Sequence, residues 1–205
     1  MTTTAPPRHD KADRIAATAA PVVRMRTKPV VYPPPAVTTQ VGYVGIVVTR
    51  YAAFATRVGM GFIFLWAFFD KLFGLGYATP AAKGWVDGGS PTKGFLSGSK
   101  GPFADFYHSL AGTGFANTMF MVGLAGIGTA LVLGICMRIA AASGALLLTM
   151  MYTVVLPPTT NPVIDDHLIL AVLLIGLAAI GAGQFLGLGR WWASTPLVRR
   201  LPWLT

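Results

Sequence analysis

The sequence predicts an all-α integral membrane protein, a four-helix bundle preceded by a disordered N-terminal tail. Three observations carry that reading. Hydrophobic residues make up 54% of the 205-residue chain and charged residues 11%, against roughly 25% charged in soluble domains. Glutamate is absent altogether. Apolar stretches of membrane-crossing length alternate with polar, glycine-rich or proline-rich breaks.

Residues 1–47 are rich in Thr, Ala, Pro and Arg and include the run "VVYPPPAV". Nothing there can bury a core, so the segment reads as a disordered, basic, cytoplasmic tail. Its apolar piece "IAATAAPVV" is short for a signal peptide and follows Asp10 and Asp13. Residues 48–205 form the predicted transmembrane domain.

The first span runs from about Tyr51 to Gly74, with Val41 to Thr49 either extending it or lying in the interface. Arg50 and Arg57 are seven apart and share one helical stripe. Near the inner interface both can snorkel to headgroups. A glycine-rich connection follows, from Tyr77 to about Thr113, containing "GWVDGGSPTKGFLSGSKGPFADFYHSLAG". It is too long for an idle turn. Its aromatics (Trp85, Phe95, Phe103, Phe106 and Tyr107) suit a segment at the interface.

From Phe115 to Val155 the only charge is Arg138. As one helix this stretch would reach about 60 Å, twice the roughly 30 Å hydrocarbon core. It therefore predicts two spans hinged at "CMR", from about Phe115 to Cys136 and from about Ile139 to Leu156, the latter stopped by Pro157 and Pro158. The fourth span is predicted from about Pro162 to Leu186, followed by a Trp191–Trp192 belt and Arg199–Arg200. The small-residue runs "GLAGIG" (123–128) and "GLAAIGAG" (176–183) predict close helix approach.

The formal charge is +9. Most of the excess lies in the tail, at Arg138 and after the fourth span, so the positive-inside rule predicts a multi-pass plasma-membrane protein with both termini cytoplasmic. Lys83, Lys93 and Lys100 in the first loop run against that rule. No basic face interleaved with aromatics is present, so nucleic-acid binding is not expected. The lone Cys136 allows no disulfide or CxxC pair, and no metal site is predicted. A di-iron bundle wants glutamates, and only His167 lies near a span for haem ligation. No phosphate-binding glycine loop or serine elbow occurs.

The polar residues that need a reason lie near the outer ends of the spans. In "NPVIDDHLIL", Asn161 can cap a helix, Pro162 suits its first position, and Asp165 and Asp166 complement its dipole. His167 is not explained that way. Asp70 and Lys71 end the first span, and a carboxylate so close to hydrocarbon needs a partner, expected in the first loop or on the fourth span. Trp85 and Asp87 lie in the loop on the same side, and His108 reads as solvated. The candidate catalytic set is therefore His167, Asp166, Asp165 and Asp70, with Lys71, Trp85 and Asp87 binding substrate. Histidine and aspartate can exchange protons and hydrogen bonds with the carbonyls of a lipid-soluble quinone.

The segments "FLWAFFDKLFGLGYATP", "GWVDGGSPTKGFL", "ALVLGICMRIAAASGALLLTMMY", "LPPTTNPVIDDHLILA" and "GLGRWWASTPLVRRLPWL" together resemble the DoxX/DoxD-like family of small membrane proteins. The resemblance runs from about Val48 to the C-terminus. It implies a four-helix membrane bundle and a link to quinone, since the namesake branch is a subunit of a thiosulfate:quinone oxidoreductase. Other branches are accessory parts of membrane oxidoreductase complexes in oxidative-stress defence. The resulting expectation is a quinone-linked membrane oxidoreductase subunit that works with a redox partner subunit. Its competitor is a non-catalytic anchor or scaffold for such a complex.

Overall fold

The computed structural model describes residues 1–2, 40–159 and 161–205. The chain separates into two units, Met1–Val37 and Thr38–Thr205. The predicted disordered tail falls outside the described residues between positions 3 and 39. From Gln40 the chain is helical.

Among the described residues every regular element is helical. Four helices are long: α1 (Gln40–Phe73), α4 (Gly114–Leu133), α5 (Met137–Val154) and α6 (Asp166–Ala179). Between α1 and α4 lie two single 3-10 turns, Ala81–Lys83 and Trp85–Asp87, and two short helices, α2 (Lys93–Ser97) and α3 (Ala104–Leu110). After α6 come a 3-10 turn at Ala182–Gln184, then α7 (Gly189–Ser194), α8 (Pro196–Arg200) and a last turn at Pro202–Leu204.

Local chemistry sets these boundaries. The Thr113 hydroxyl accepts from Ala116 N at 3.2 Å and starts α4. Gly134, in the left-handed region at φ 74°, ends it by donating to Ala130 O. Asp165 caps α6 through Leu168 N at 3.3 Å. Asn161 is not the cap predicted from sequence. Its Oδ1 accepts from Val163 N and Ile164 N at 2.9 and 2.7 Å, which winds residues 161–164 into a side-chain-closed turn and keeps Pro162 out of the helix.

Three helices are long and apolar enough to cross a membrane: Gly42–Phe73, Gly114–Leu133 and Met137–Val154. The predicted fourth span is shorter than expected. α6 has 14 residues, about 21 Å at 1.5 Å per residue, and stops where Gly181 turns left-handed at φ 66°. α1 takes the longer of its two expected forms. The Val41–Thr49 block extends it into one 34-residue helix, about 51 Å long.

α1 packs on α4, α4 on α5 and α5 on α6, with a lighter contact closing α6 onto α1. Phe64, Met121, Ile127, Leu131 and Leu174 are buried between them. The outside is apolar as well: Phe62, Val122, Leu146 and Val172, one from each long helix, are all at least 60% exposed. Water would penalise that surface and lipid would not.

α1 and α4 cross in close approach. A Cβ on Gly61 would lie 3.0 Å from Gly128 O, and one on Gly128 would lie 2.9 Å from Leu65 N. The "GLAGIG" run thus works through Gly128, while Gly126 and also Gly176 of the second run face open space.

The end opposite the long loop is knotted around Arg57. This side chain is fully buried rather than snorkelling as predicted from sequence. Its Nη1 donates to Leu131 O and, at 2.9 Å, to Val132 O, and its Nη2 to Leu186 O at 3.1 Å. The guanidinium thereby caps the C-terminus of α4, where the helix dipole is negative, and lies over the Phe54 ring at 5.5 Å. Gly134, Gly183, Gly187 and Gly189 crowd around it so tightly that a Cβ on Gly187 would sit 3.1 Å from Nη2. The C-terminal turns fold back here, with Arg138 N donating to Thr205 O at 3.1 Å and Trp192 Nε1 to Leu204 O at 2.8 Å.

Two outcomes follow for thermal unfolding in detergent. Gly128→Val is expected to lower Tm severely or prevent accumulation, while Gly176→Ala is neutral or stabilising by up to about 1 kcal/mol, because it only removes glycine's entropy. Arg57→Lys is expected to melt well below wild type, because a point ammonium cannot reach carbonyls on two segments as the guanidinium fork does.

Candidate functional site

The loop end of the molecule carries the candidate site. It is built by the exit of α1, the connection 74–113, the exit of α5 and the start of α6. Three buried polar residues hold the connection down. Asp70, 2% exposed, accepts from Tyr77 N at 3.2 Å and Ala78 N at 3.1 Å, one on each carboxylate oxygen. Asn117, in the first turns of α4, receives Ser90 Oγ, Thr92 N and Thr92 Oγ1 on one oxygen at 3.0, 3.2 and 2.7 Å. Tyr107 fastens α3 to α5, its hydroxyl donating to Met150 O at 3.3 Å and meeting Thr153 Oγ1 at 2.5 Å.

His167 and Asp165 form a dyad at the mouth of α6. Asp165 Oδ2 lies 2.5 Å from His167 Nδ1, while its Oδ1 caps the helix at Leu168 N. One carboxylate thus fixes both the helix start and the imidazole. With Asp165 as acceptor, Nδ1 carries the hydrogen and Nε2 is left for a ligand. The dyad is partly open, the His167 side chain being 25% exposed and that of Asp165 12%. Asp166, the first residue of α6, is exposed.

These three residues line a cavity of about 700 Å³. Its other walls come from the loop (Phe95, Gly98 and Lys100) and from the α5 exit (Val154 to Thr159). The cavity therefore combines an oriented imidazole, two carboxylates, one lysine and an apolar wall.

The single polar network expected from sequence divides into separate places. Asp70 and Lys71 are not among the residues of the His167 cavity. Asp70 finds its partner in the first loop, as expected, and both oxygens are used there. Lys71 sits beside a second, apolar cavity, its Nζ 6.0 Å from the Phe120 ring centre. Trp85 packs against the hydrophobic core instead of covering the His167 cavity. Asp87 is exposed on the 3-10 turn before Gly88, whose φ of 85° reverses the chain. His108 is exposed but accepts or donates at Ser99 O over 3.0 Å.

Sequence reasoning missed Asn117, Tyr107 and Lys100. Asn117 carried a usable signal, being an amide in an apolar run where a membrane helix needs a reason for it. Lys100 carried none, since only the fold of the loop brings it beside His167. The Cys136 thiol lies half-buried in the turn between α4 and α5.

Among the described residues the fold is helical, with three helices long and apolar enough to cross a membrane and a histidine–aspartate cavity at one end. Comparison with protein-family models, curated proteins and solved structures returned no match.

Asn117→Ala is expected to release the 90–92 loop, because it strips two hydroxyls and an amide of their common acceptor. The loss is on the order of 1–3 kcal/mol. Hydrogen exchange should rise at Thr92 with α4 and α5 unchanged, and unchanged protection at Thr92 would contradict the latch.

Proposed function

We propose that this chain is a DoxX/DoxD-like, quinone-linked membrane oxidoreductase subunit. In this reading α1, α4, α5 and α6 form a four-helix membrane bundle in the plasma membrane. α6 and the turns after it share the fourth crossing. The positive charges at Arg138, Arg190, Arg199 and Arg200 favour cytoplasmic termini. The His167 cavity then opens at the outer face, at headgroup depth.

The observation that carries the proposal is the 2.5 Å His167–Asp165 pair lining a 700 Å³ cavity with an apolar wall. A quinone ring fits such a place. Its body needs apolar contact, here Phe95 and Val154, and its oxygens need a proton donor and acceptor. When bound, quinone supplies the two-electron, two-proton chemistry. The chain's own work is narrower. Asp165 holds the imidazole, His167 Nε2 moves a proton at the ring oxygen, and Lys100 offers a positive charge beside it. Thiosulfate is the donor suggested by the family resemblance. With one cysteine and no glutamate, electrons from that donor call for a partner subunit.

A specific observation favours the competing anchor role. Arg57 marks the end of α4, yet α1 continues back to Gln40, about 26 Å further. Tyr43, Val44, Ile46 and Val48 on that extension are exposed, which suits the transmembrane helix of another subunit.

One experiment separates the two. The purified full-length chain is assayed for quinone binding and for thiosulfate-dependent quinone reduction, alone and with membrane extract, against His167→Ala. The catalytic reading expects a loss of about 100-fold or more in the mutant with bundle stability retained. Full activity in His167→Ala, or no quinone binding by wild type, would leave the anchor.

A further inference from the structure

The apolar cavity beside Lys71 is separate from the dyad and plays no part in the reading above. It lies between α1, α4 and α5 under the loop helices α2 and α3, with a volume of about 260 Å³. On the scale of about 30 Å³ per liquid water, that holds roughly nine heavy atoms, so a longer chain would leave its end in the mouth. Its wall is almost entirely hydrocarbon, aromatic and thioether, from residues such as Phe95, Met119, Phe120, Leu147 and Met151.

The polar atoms of the lining are already engaged, with one exception. The Tyr107 hydroxyl is held by Met150 O and Thr153 Oγ1 at 3.3 and 2.5 Å. Thr92 Oγ1 is held by Asn117 at 2.7 Å. The exception is the Lys71 ammonium. The one ion pair within 4 Å among the described residues is His167–Asp165. The neighbouring Asp70 spends both oxygens on Tyr77 N and Ala78 N. Lys71 has the Phe120 ring at 6.0 Å and no carboxylate within 4 Å, its opposing charge being the neighbouring Asp70. A lysine against an apolar cavity without a counter-ion in direct contact is costly.

The mouth explains how a ligand would arrive. Phe115 and Met119, both lining the cavity, are 71% and 52% exposed on the lipid-facing side of α4. A molecule dissolved in the bilayer reaches the cavity sideways without crossing the loop.

We propose that this cavity binds a single-chain amphiphile with a carboxylate head, of the fatty-acid class, its chain in the slot and its carboxylate paired with Lys71. The carboxylate provides a counter-ion in direct contact, which Asp70 does not, and the volume of about 260 Å³ suits one chain rather than the two of a phospholipid.

The test uses the full-length chain in phosphatidylcholine nanodiscs with radiolabelled laurate as probe. Laurate carries no redox group, so the result is independent of the quinone reading. Wild type is expected to bind laurate saturably and at least tenfold more tightly than dodecanol. Lys71→Met should bind laurate at least tenfold more weakly, while Lys71→Arg retains binding. Ala116→Trp, which fills the slot and leaves Lys71 in place, should abolish it. Without ligand, Lys71→Met should melt close to wild type, because the charge removed has no ion pair within 4 Å, and laurate should raise the Tm of wild type and not that of Lys71→Met. Equal binding of laurate and dodecanol by wild type overturns the proposal. So does undiminished laurate binding in Lys71→Met, or displacement of laurate by phosphatidylglycerol vesicles but not by unlabelled laurate.

Discussion

The buried guanidinium of Arg57 is the point on which the bundle depends. A helix that ends inside apolar surroundings leaves its last carbonyls without partners. Here the last carbonyls of α4 and the carbonyl of Leu186 converge on one side chain from α1. Three chain segments far apart in sequence are thus joined through one charge. That charge is balanced by a helix C-terminus and an aromatic face. The glycines at 134, 183, 187 and 189 follow from it, since any side chain there would displace backbone or guanidinium.

The loop end solves the matching problem with neutral and acidic groups. The connection between α1 and α4 is long and glycine-rich, and it could not keep a shape through its own apolar contacts. It is pinned where Asp70, Asn117 and Tyr107 emerge from the helices, each buried and each satisfied by loop or helix partners. The resulting lid creates two neighbouring cavities of different character. One is polar, with an imidazole oriented by a carboxylate. The other is apolar with a single cation. Phe95 and Val154 belong to the walls of both.

This arrangement divides the candidate residues by role. Asp165 and His167 pair with each other at the wall of the polar cavity, and the capping bond to Leu168 means that the carboxylate is held by the helix itself. Asp70 has the environment of a structural latch, because both oxygens already receive backbone N–H groups. Aspartate in the sequence looks the same in either role. The difference lies in which donors the fold brings within 3.3 Å.

The sequence by itself determined that this is an all-helical chain suited to lipid, and it located the breaks between helices. Composition and run length report directly on solvent preference, and proline, glycine and capping residues act locally. It also brought His167 together with Asp165 and Asp166, because they are neighbours in the chain, but it did not decide which carboxylate pairs with the imidazole. The short α6 was not legible, since Gly181 and the Asn161 turn end it against an apolar pattern that continues on both sides. Nor was the burial of Arg57, the latch at Asn117 or the placement of Lys100 and Lys71 in different cavities. Each of these depends on atoms 20 to 130 residues away. Only the tertiary structure brings such partners together, and with them it decides whether a charge is a cap, a latch or a site.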